Sequence, residues 1–497
     1  MKQVKTSSID QKNPRIKKAI DFATKAHEGQ HRTSGEPFIT HPLAVAEILT
    51  EWGMDDDTII AGILHDTVED TDITLDQIKN EFGESVAFLV DGVTKLSSAR
   101  RGMRDIDSYL PKTKDNFLRL MIALGADIRV LIIKLADRLH NLRTLSALPP
   151  DKQQKIAKET LEIFAPLADR LNMGRLRVEL ADLSFSYVDP KRYKELKELI
   201  EKYNKSAEKT LAKIEKEVSE LLTKEKLEFK ISGRVKSVYS LHRKLAKYNQ
   251  NIGQIYDLTA LRIIVPDITS CYLTLGLIHS LYTPMEGRIK DYIAMPKQNG
   301  YQSIHTTVIT PDKKIIEFQI RTREMHEYAE RGLAASFYYN EQKVTKNYKE
   351  GKIQHLPTNL LWITELQTAA ARLREGKKVD LNKLKLNLFA DKIFVYTPKG
   401  DIIELAKGSL PLDFAYRLHS EIGGHVTGVK INGKISNLNK KLQQGDVVEI
   451  ITSKNQTPKE SWLQKIITPH ARAKLRQQLS ILKKSEKPLP PAPKKKN

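Results

Sequence analysis

The sequence holds one cysteine, Cys271, in 497 residues. That excludes an intramolecular disulfide framework and a thiolate zinc site, and leaves Cys271 as a small core residue. Long apolar runs are missing as well. No stretch approaches the roughly 18 consecutive apolar residues of a membrane span. The opening MKQVKTSSIDQKNPR lacks the apolar centre of a secretory signal. The expectation is a cytoplasmic chain with no membrane partner. Acidic charge is in deficit, with 61 Asp and Glu against 82 Lys and Arg, a net charge of +21 and a pI near 9.5. That balance favours polyanionic partners such as nucleotides, RNA or a ribosome. At 40% hydrophobic and 29% charged residues, the composition supports several ordinary cores, about two to four domains for this length.

The apolar periodicity divides the chain. Residues 14 to 188 read as helices broken by Gly and Pro, among them Pro14 to Glu28, Pro42 to Trp52, Leu75 to Leu96, Ile128 to Ser146 and Lys152 to Leu171. A Lys/Glu-rich helical pattern follows from Pro190 to Lys226, able to link domains or to pack on one of them. After Phe229 strands enter. Asp257 to Val265 reads as a buried strand, and Ser303 to Ile309 and Ile315 to Arg321 as two strands joined by a turn at Thr310-Pro311-Asp312-Lys313. In the last of these Ile316, Phe318 and Ile320 alternate with Glu317, Gln319 and Arg321, one face for a core and one for a cleft. Asn387 to Ser453 is strand-rich, and the terminal KKSEKPLPPAPKKKN has a disordered composition.

Chemistry concentrates first in Gly62 to Thr71, GILHDTVEDT. His65-Asp66 is followed four residues later by Glu69-Asp70, which on one helix stacks the two pairs on the same side. One level suits a metal and the next acid/base work. His41 immediately precedes the start of a helix, and Asp137 sits in an otherwise apolar helix, where a carboxylate needs a cation or donors. His41, His65, Asp66 and Asp137 form a mixed N/O set suited to Mn²⁺ or another borderline divalent ion. A second constellation suits phosphoryl transfer. It comprises the basic groups around Arg234, Lys236, Arg288, Lys290 and Lys297, the strand carboxylates Asp257 and Glu317, and Tyr301, whose ring can stack on a base.

The stretches RTSGEPFITHP, HDTVEDT and LADRLHNLRT resemble the hydrolase domain of the RelA/SpoT homologue family, within the HD phosphohydrolase superfamily. KDYIAMPKQNGYQSIHTTV and EFQIRTREMHEYAERGLAA resemble its synthetase domain, and residues from LNLFADKIFVYTPKG onward resemble a TGS domain. The resemblance covers roughly residues 14 to 475 and implies a long bifunctional member in a short form ending after the TGS domain. It implies a multidomain α+β fold. An all-α HD-type hydrolase domain would occupy 1–150 and a helical linker or bundle 151–229. A nucleotidyltransferase-like α/β synthetase domain would occupy 230–375, a small β-grasp TGS domain 386–455, and a basic helical and Pro/Lys-rich tail 456–497.

The activities implied are transfer of pyrophosphate from ATP to the 3′-OH of GDP or GTP and removal of the 3′-pyrophosphate of (p)ppGpp. In the hydrolase, His41, His65, Asp66 and Asp137 would hold Mn²⁺ and Glu69 and Asp70 would position or deprotonate water. Arg32, Asn141 and Thr144 would contact the nucleotide. In the synthetase, Asp257 and Glu317 would bind Mg²⁺, with Glu317 as base on the 3′-OH. Tyr301 would stack on guanine and Arg234 and Arg262 would flank the adenine. Lys236, Lys297 and His305 would meet phosphates.

The basic Arg288-Ile289-Lys290-Asp291 has the form of bifunctional members. Two departures bear on the alternatives. Ser336-Phe337 stands where relatives usually have His-Trp, which keeps a hydrolase with a weak or lost synthetase in view. TGS relatives often have a His that is here replaced by Gly424 or displaced by one to His425, which weighs against recognition of a tRNA 3′ end. The TGS unit and the basic surface otherwise point to tRNA or a ribosome as partner, and a non-catalytic RNA-binding regulator is the remaining alternative.

Overall fold

The computed structural model describes residues 9, 12–101, 127–247, 259–297, 299–332, 392–398, 401–443, 445–453 and 455–485. The chain forms two compact units, Met1–Val379 and Asp380–Asn497. No helix among the described residues is long and apolar enough to cross a membrane.

The first unit opens with helices that are set by their caps. Helix α1 (Pro14–Ala26) starts where the Asn13 side chain accepts the Arg15 N–H and Pro14 takes the first turn. Helix α2 (Thr40–Glu51) carries His41 inside its first turn, not ahead of it as expected. Helix α3 (Asp56–Leu64) is capped by Asp55, which accepts from Thr58 N and Oγ1 at 2.9 and 2.7 Å, and is buried from Thr58 to Leu64. Gly62 lets α2 and α3 cross closely, because a Cβ there would stand 2.5 Å from Leu49 Cδ1.

The single helix expected through GILHDTVEDT is interrupted. His65 caps α3, Asp66 turns at φ −96, ψ −8, and a new turn α4 (Thr67–Asp70) begins. The buried Thr67 hydroxyl donates to Leu64 O at 2.6 Å and competes with the helical ladder. His65 therefore closes α3, while Asp66 opens the turn that carries Glu69 and Asp70. The helix expected over Leu75 to Leu96 is likewise two. Helix α5 (Leu75–Phe82), opened by a Thr74–Gln77 capping box, ends at Gly83 with φ +96, and α6 (Glu84–Arg101) follows. Helix α7 (Ile128–Arg143) is capped by Asp127 and buried from Val130 to Leu139. It carries Lys134, Asp137 and Arg138 into the core.

Helices α8 (Pro150–Glu159) and α9 (Ala165–Arg170) are joined by a π turn, Thr160–Phe164. Pro166 has no N–H for the Glu162 carbonyl, and the widened turn accommodates that loss. Helices α10 (Gly174–Val188) and α11 (Pro190–Lys224) follow. Helix α11 joins two cores. Leu196 and Ile200 pack with Phe185, while Ile214, Val218 and Leu222 pack under a sheet.

That sheet comprises β1 (Lys230–Val235), β2 (Thr259–Val265), β3 (Thr283–Pro284), β4 (Lys290–Asp291), β5 (Ile304–Ile309) and β6 (Ile315–Thr322), in the order β1-β2-β6-β5-β3 with β4 on β5. Only the central β2–β6 pair is parallel among these ladders. Leu261, Ile263, Phe318 and Ile320 form its core face, against α11 and α13 (Ile268–Leu281). Helix α12 (Val238–Lys247) follows β1, its Val238 and Tyr239 N–H groups capped by Asp182 of α10 at 3.2 and 2.9 Å. Helix α14 (Arg323–Arg331) follows β6. The other face of β6 is less open than its alternation suggests, since Gln319 and Arg321 are each 2% exposed.

In the second unit, β7 (Lys392–Tyr396) pairs with β8 (Ile402–Ala406), and β9 (Val426–Ile431) lies between β10 (Lys434–Ser436) and β11 (Val448–Thr452). A parallel bridge, Tyr396 to Val447, connects the two ladders. Asn432 and Gly433, both at positive φ, make the β9–β10 hairpin turn. Helices α15 (Pro411–Leu418), α16 (Ser420–Gly424), α17 (Trp462–Lys465) and α18 (Pro469–Ser485) complete the unit. Leu475 and Ala471 of α18 pack on Leu412 and Tyr416. The fully buried Asp413 accepts from the N–H groups of Leu410, Ile467 and Thr468 and from the Thr468 hydroxyl. The terminal Pro/Lys segment, 486–497, lies outside the described residues.

Candidate functional site

Three helices bring the first constellation to one point. His41, His65 and Asp137 each offer a ligand atom, and these lie within 4.8 Å of one another. Asp66 joins them, its Oδ2 3.5 Å from His41 Nε2 and 3.2 Å from His65 Nε2, while Asp137 Oδ1 is 3.3 Å from His41 Nε2. His65 Nδ1 donates to Gly62 O at 2.8 Å. That fixes its proton on Nδ1 and turns Nε2 toward the cluster, where Nε2 has no hydrogen-bond partner. A buried imidazole nitrogen that faces two carboxylates and a second imidazole fits a borderline divalent cation.

The electrostatics agree with that donor set. Burial alone would depress His65, but Asp66 and Asp137 overcome it and raise it to about 9. Burial opposes ionisation of both carboxylates, yet His65 holds Asp66 below its usual range. Lys134 holds Asp137 well below it. Lys134 Nζ sits 2.6 Å from Asp137 Oδ2, and Asn141 donates to Asp137 Oδ1. Arg32 Nη2 donates to Asn141 Oδ1 at 3.0 Å, which places Arg32 and Asn141 beside the cluster. Thr144 stands at the end of α7, its hydroxyl on His140 O at 3.1 Å. Glu69 and Asp70 are half-buried on α4, one turn beyond Asp66, whose carbonyl accepts both of their N–H groups.

One member of this site escaped the sequence reading. His140 Nδ1 lies 2.7 Å from His41 Nδ1 and 3.1 Å from Arg32 Nη1. Burial, then His41 and Arg32, pushes its imidazole down to about 3. The available signal was its spacing of three from Asp137, which sets both on one face of α7.

The second constellation gathers on the polar face of the sheet. Glu317 Oε1 accepts from Gln319 Nε2 at 2.7 Å and faces His305 Nδ1 at 3.4 Å. His305 Nε2 meets the Tyr301 hydroxyl at 2.8 Å. The Lys297 ammonium stands 4.6 Å from the Tyr292 ring centre and 4.5 Å from that of Tyr301. Arg262 and Arg321 both meet Glu330 Oε1, at 3.3 Å each. The Nε atoms of both arginines are buried without a partner. Burial and the charges of Lys297 and Arg234 depress His305, against the pull of Glu317. Lys236 is buried just after β1. Gln319 and Arg321 lie on the face the sequence assigned to a cleft, and Glu330 and Tyr292 are additions to the residues read from the sequence. Asp257 and Ser336-Phe337 lie outside the described residues.

Three family models match in order along the chain. They are the HD domain over residues 19–174, the region found in RelA / SpoT proteins over 233–344, and the TGS domain over 393–452. The bifunctional (p)ppGpp synthase/hydrolase SpoT of Escherichia coli K12 is 42% identical over 473 residues, 95% of this chain and 66% of that protein. A GTP pyrophosphokinase of Myxococcus xanthus is 44% identical over 463 residues, 93% of this chain and 60% of that protein. A solved structure of a metazoan ortholog of SpoT that hydrolyzes ppGpp is 31% identical, covering 27% of this chain and 71% of that one, with a TM-score of 0.22. This chain belongs to the RelA/SpoT family. It spans 60% to 66% of the length of these bacterial relatives.

In this RelA/SpoT member the TGS unit differs locally from the expected pattern. Gly424 faces α18, and a Cβ there would stand 3.0 Å from Gln478 Nε2. His425 instead turns its Nδ1 to Gln456 O at 2.7 Å.

Proposed function

We propose that this RelA/SpoT member is a bifunctional alarmone enzyme of the cytoplasm. It transfers pyrophosphate from ATP to the 3′-OH of GDP or GTP, and hydrolyses the 3′-pyrophosphate of (p)ppGpp to GDP or GTP plus pyrophosphate. The observation that carries the hydrolytic half is the convergence of His41, His65, Asp66 and Asp137, their ligand atoms grouped around His41 Nε2 and His65 Nε2. A divalent ion held there, Mn²⁺ in this reading, would supply Lewis acidity toward the phosphate and toward water. Lys134 and Asn141 fix the Asp137 carboxylate, and Gly62 O fixes His65, so the donor set is preorganised. Glu69 and Asp70 position or deprotonate the attacking water, and Arg32, Asn141 and Thr144 receive the nucleotide.

For transfer, Glu317 accepts the proton of the acceptor 3′-OH while O3′ bonds to the β-phosphorus of ATP and the α–β bridging bond breaks, releasing AMP. Gln319 and His305 hold Glu317 in place. Arg234 and Arg262 flank the adenine, and Lys236, Lys297 and His305 meet the phosphates. Asp257 with Glu317 would hold Mg²⁺. The matches to HD and RelA / SpoT models on one chain support both activities together. The test is incubation of the pure protein with ATP, GDP and Mg²⁺, and separately with ppGpp and Mn²⁺. Asp66→Ala should abolish only hydrolysis and Glu317→Gln only synthesis. Retention of both activities in both variants sinks the assignment.

A further inference from the structure

The transfer site is tied to the hydrolase half through an amide that neither chemistry uses. On the synthetase side Lys297 N–H bonds to Tyr301 O at 3.1 Å and Gly300 N–H to Lys297 O at 2.8 Å, which draws the two ends of a short loop together. Within it the Asn299 side chain faces two ways. Its Oδ1 accepts the Tyr301 N–H at 3.2 Å. Its Nδ2 donates 2.9 Å to the carbonyl of Asp169, 130 positions earlier, at the end of α9. The Asp169 carbonyl also takes the Asn172 N–H at 3.0 Å, so it belongs to the turn between α9 and α10.

That turn is itself fixed against α14. Asn172 is buried, adopts φ +55, and donates from Nδ2 to Tyr328 O at 3.0 Å. Around it backbone meets backbone. A Cβ on Gly332, at φ +59, would fall 2.1 Å from Leu171 O, and a Cβ on Gly174 would fall 2.6 Å from Ala329 O. Side chains in contact can yield by changing rotamer, whereas main chains in contact keep their spacing. The turn is thus a rigid abutment, and the Tyr301 hydroxyl, 2.8 Å from His305 Nε2, lies at the far end of the same connection.

We propose that Asn299 is a positioning residue for the acceptor nucleotide, anchoring the Lys297–Tyr301 loop on the Asp169–Gly174 turn of the hydrolase half. The proposal rests on the transferase reading given above. Lys297 and Tyr301 are the groups that meet the substrate, and Asn299 holds them at one height by holding the Tyr301 peptide. Loss of the anchor leaves their chemistry intact but spreads their positions, which weakens ground-state binding more than turnover.

Three variants separate the contributions. Asn299→Ala removes both bonds. Asn299→Asp keeps an acceptor for the Tyr301 N–H and loses the donor to Asp169 O. Gly174→Ala leaves the loop untouched and pushes the turn away from α14 at a helix position where alanine is favoured. All three should raise KM for GDP about fivefold or more while kcat falls less than threefold. Hydrolysis of ppGpp should stay within twofold of wild type. Gly174→Ala combined with Asn299→Asp should cost little more than either alone. Amide exchange of the peptide containing Tyr301, followed by mass spectrometry, should quicken in Gly174→Ala, a readout independent of activity. The anchor is refuted if Asn299→Asp and Gly174→Ala leave KM and exchange unchanged, if transfer and hydrolysis fall together, or if the two effects multiply. A wild-type chain that transfers nothing refutes the transferase reading and the anchor with it.

Discussion

Replacing His140 by alanine tests whether the imidazole behind the histidine–carboxylate cluster sets its affinity for a metal. Arg32 has only N–H groups to offer, and its Nη1 stands 3.1 Å from His140 Nδ1. That nitrogen is therefore an acceptor. With His140 held down to about 3, it stays neutral in any ordinary buffer. His41 Nδ1, 2.7 Å from the same atom, must then carry the proton. The His41 Nε2 lone pair is left facing Asp137 and Asp66 at 3.3 and 3.5 Å. This tautomer is wrong for a bare histidine–carboxylate contact and right for a cation between them. In His140→Ala, His41 is free to move its proton to Nε2, where the carboxylates attract it, and a metal must first reverse that shift. Partners behind metal ligands are typically worth about 10–100-fold in affinity, or about 1.4–2.7 kcal/mol. Calorimetric titration of the metal-free protein with Mn²⁺ should show that loss. His140→Asn, which offers a side-chain carbonyl as acceptor, should recover most of it. An alanine variant within twofold of wild type, or an asparagine variant no better than alanine, refutes the reasoning.

Three further outcomes follow from particular contacts. His65, raised to about 9 in the metal-free protein, must lose its proton to bind an ion, so Mn²⁺ affinity should climb about tenfold per pH unit between about 6 and 8 and level off above about 9. Titrations in buffers of different ionisation enthalpy should report about one proton released at neutral pH, and zero release contradicts this. Gly62→Ala forces a Cβ against Leu49 Cδ1 and should destabilise the hydrolase helices by about 1–3 kcal/mol in urea unfolding; an unchanged midpoint would show that the crossing relaxes freely. Asp413→Ala strips the acceptor from four donors and should cost about 3 kcal/mol. It should also open the segment before α18 to limited proteolysis, and equal protease resistance argues against the tether.

The sequence was most legible where one residue type carries a heavy cost in its setting. Asp137 within an apolar helix and His65-Asp66 after an apolar run needed a partner, and the structure brings them together. Local interruptions were harder to read. Gly83 is visible as a breaker, yet the apolar period runs across it. Thr67 ends α3 through a hydroxyl bond that periodicity does not encode. Strand alternation in β6 correctly separates Phe318 and Ile320 from Gln319 and Arg321, but says nothing of what covers the polar side. The contact of Asn299 with Asp169 spans 130 positions and joins a side chain to a carbonyl, so no residue type at either end announces it.

The shared use of Glu330 by Arg262 and Arg321 has a consequence for the protein between turnovers. Among the described residues, one carboxylate serves two largely enclosed guanidinium groups, with Arg234 near enough to depress both. The resting fold therefore carries self-repulsion that a polyanion relieves. Under the proposed transferase reading, occupancy by nucleotide would become part of what holds this region in shape, through the ordinary linkage of ligand binding to folding. Without nucleotide the melting temperature should climb with sulfate or phosphate more steeply than with chloride at matched ionic strength. The proposed transfer site would then report the anion content of its surroundings as a stability, even when no reaction runs.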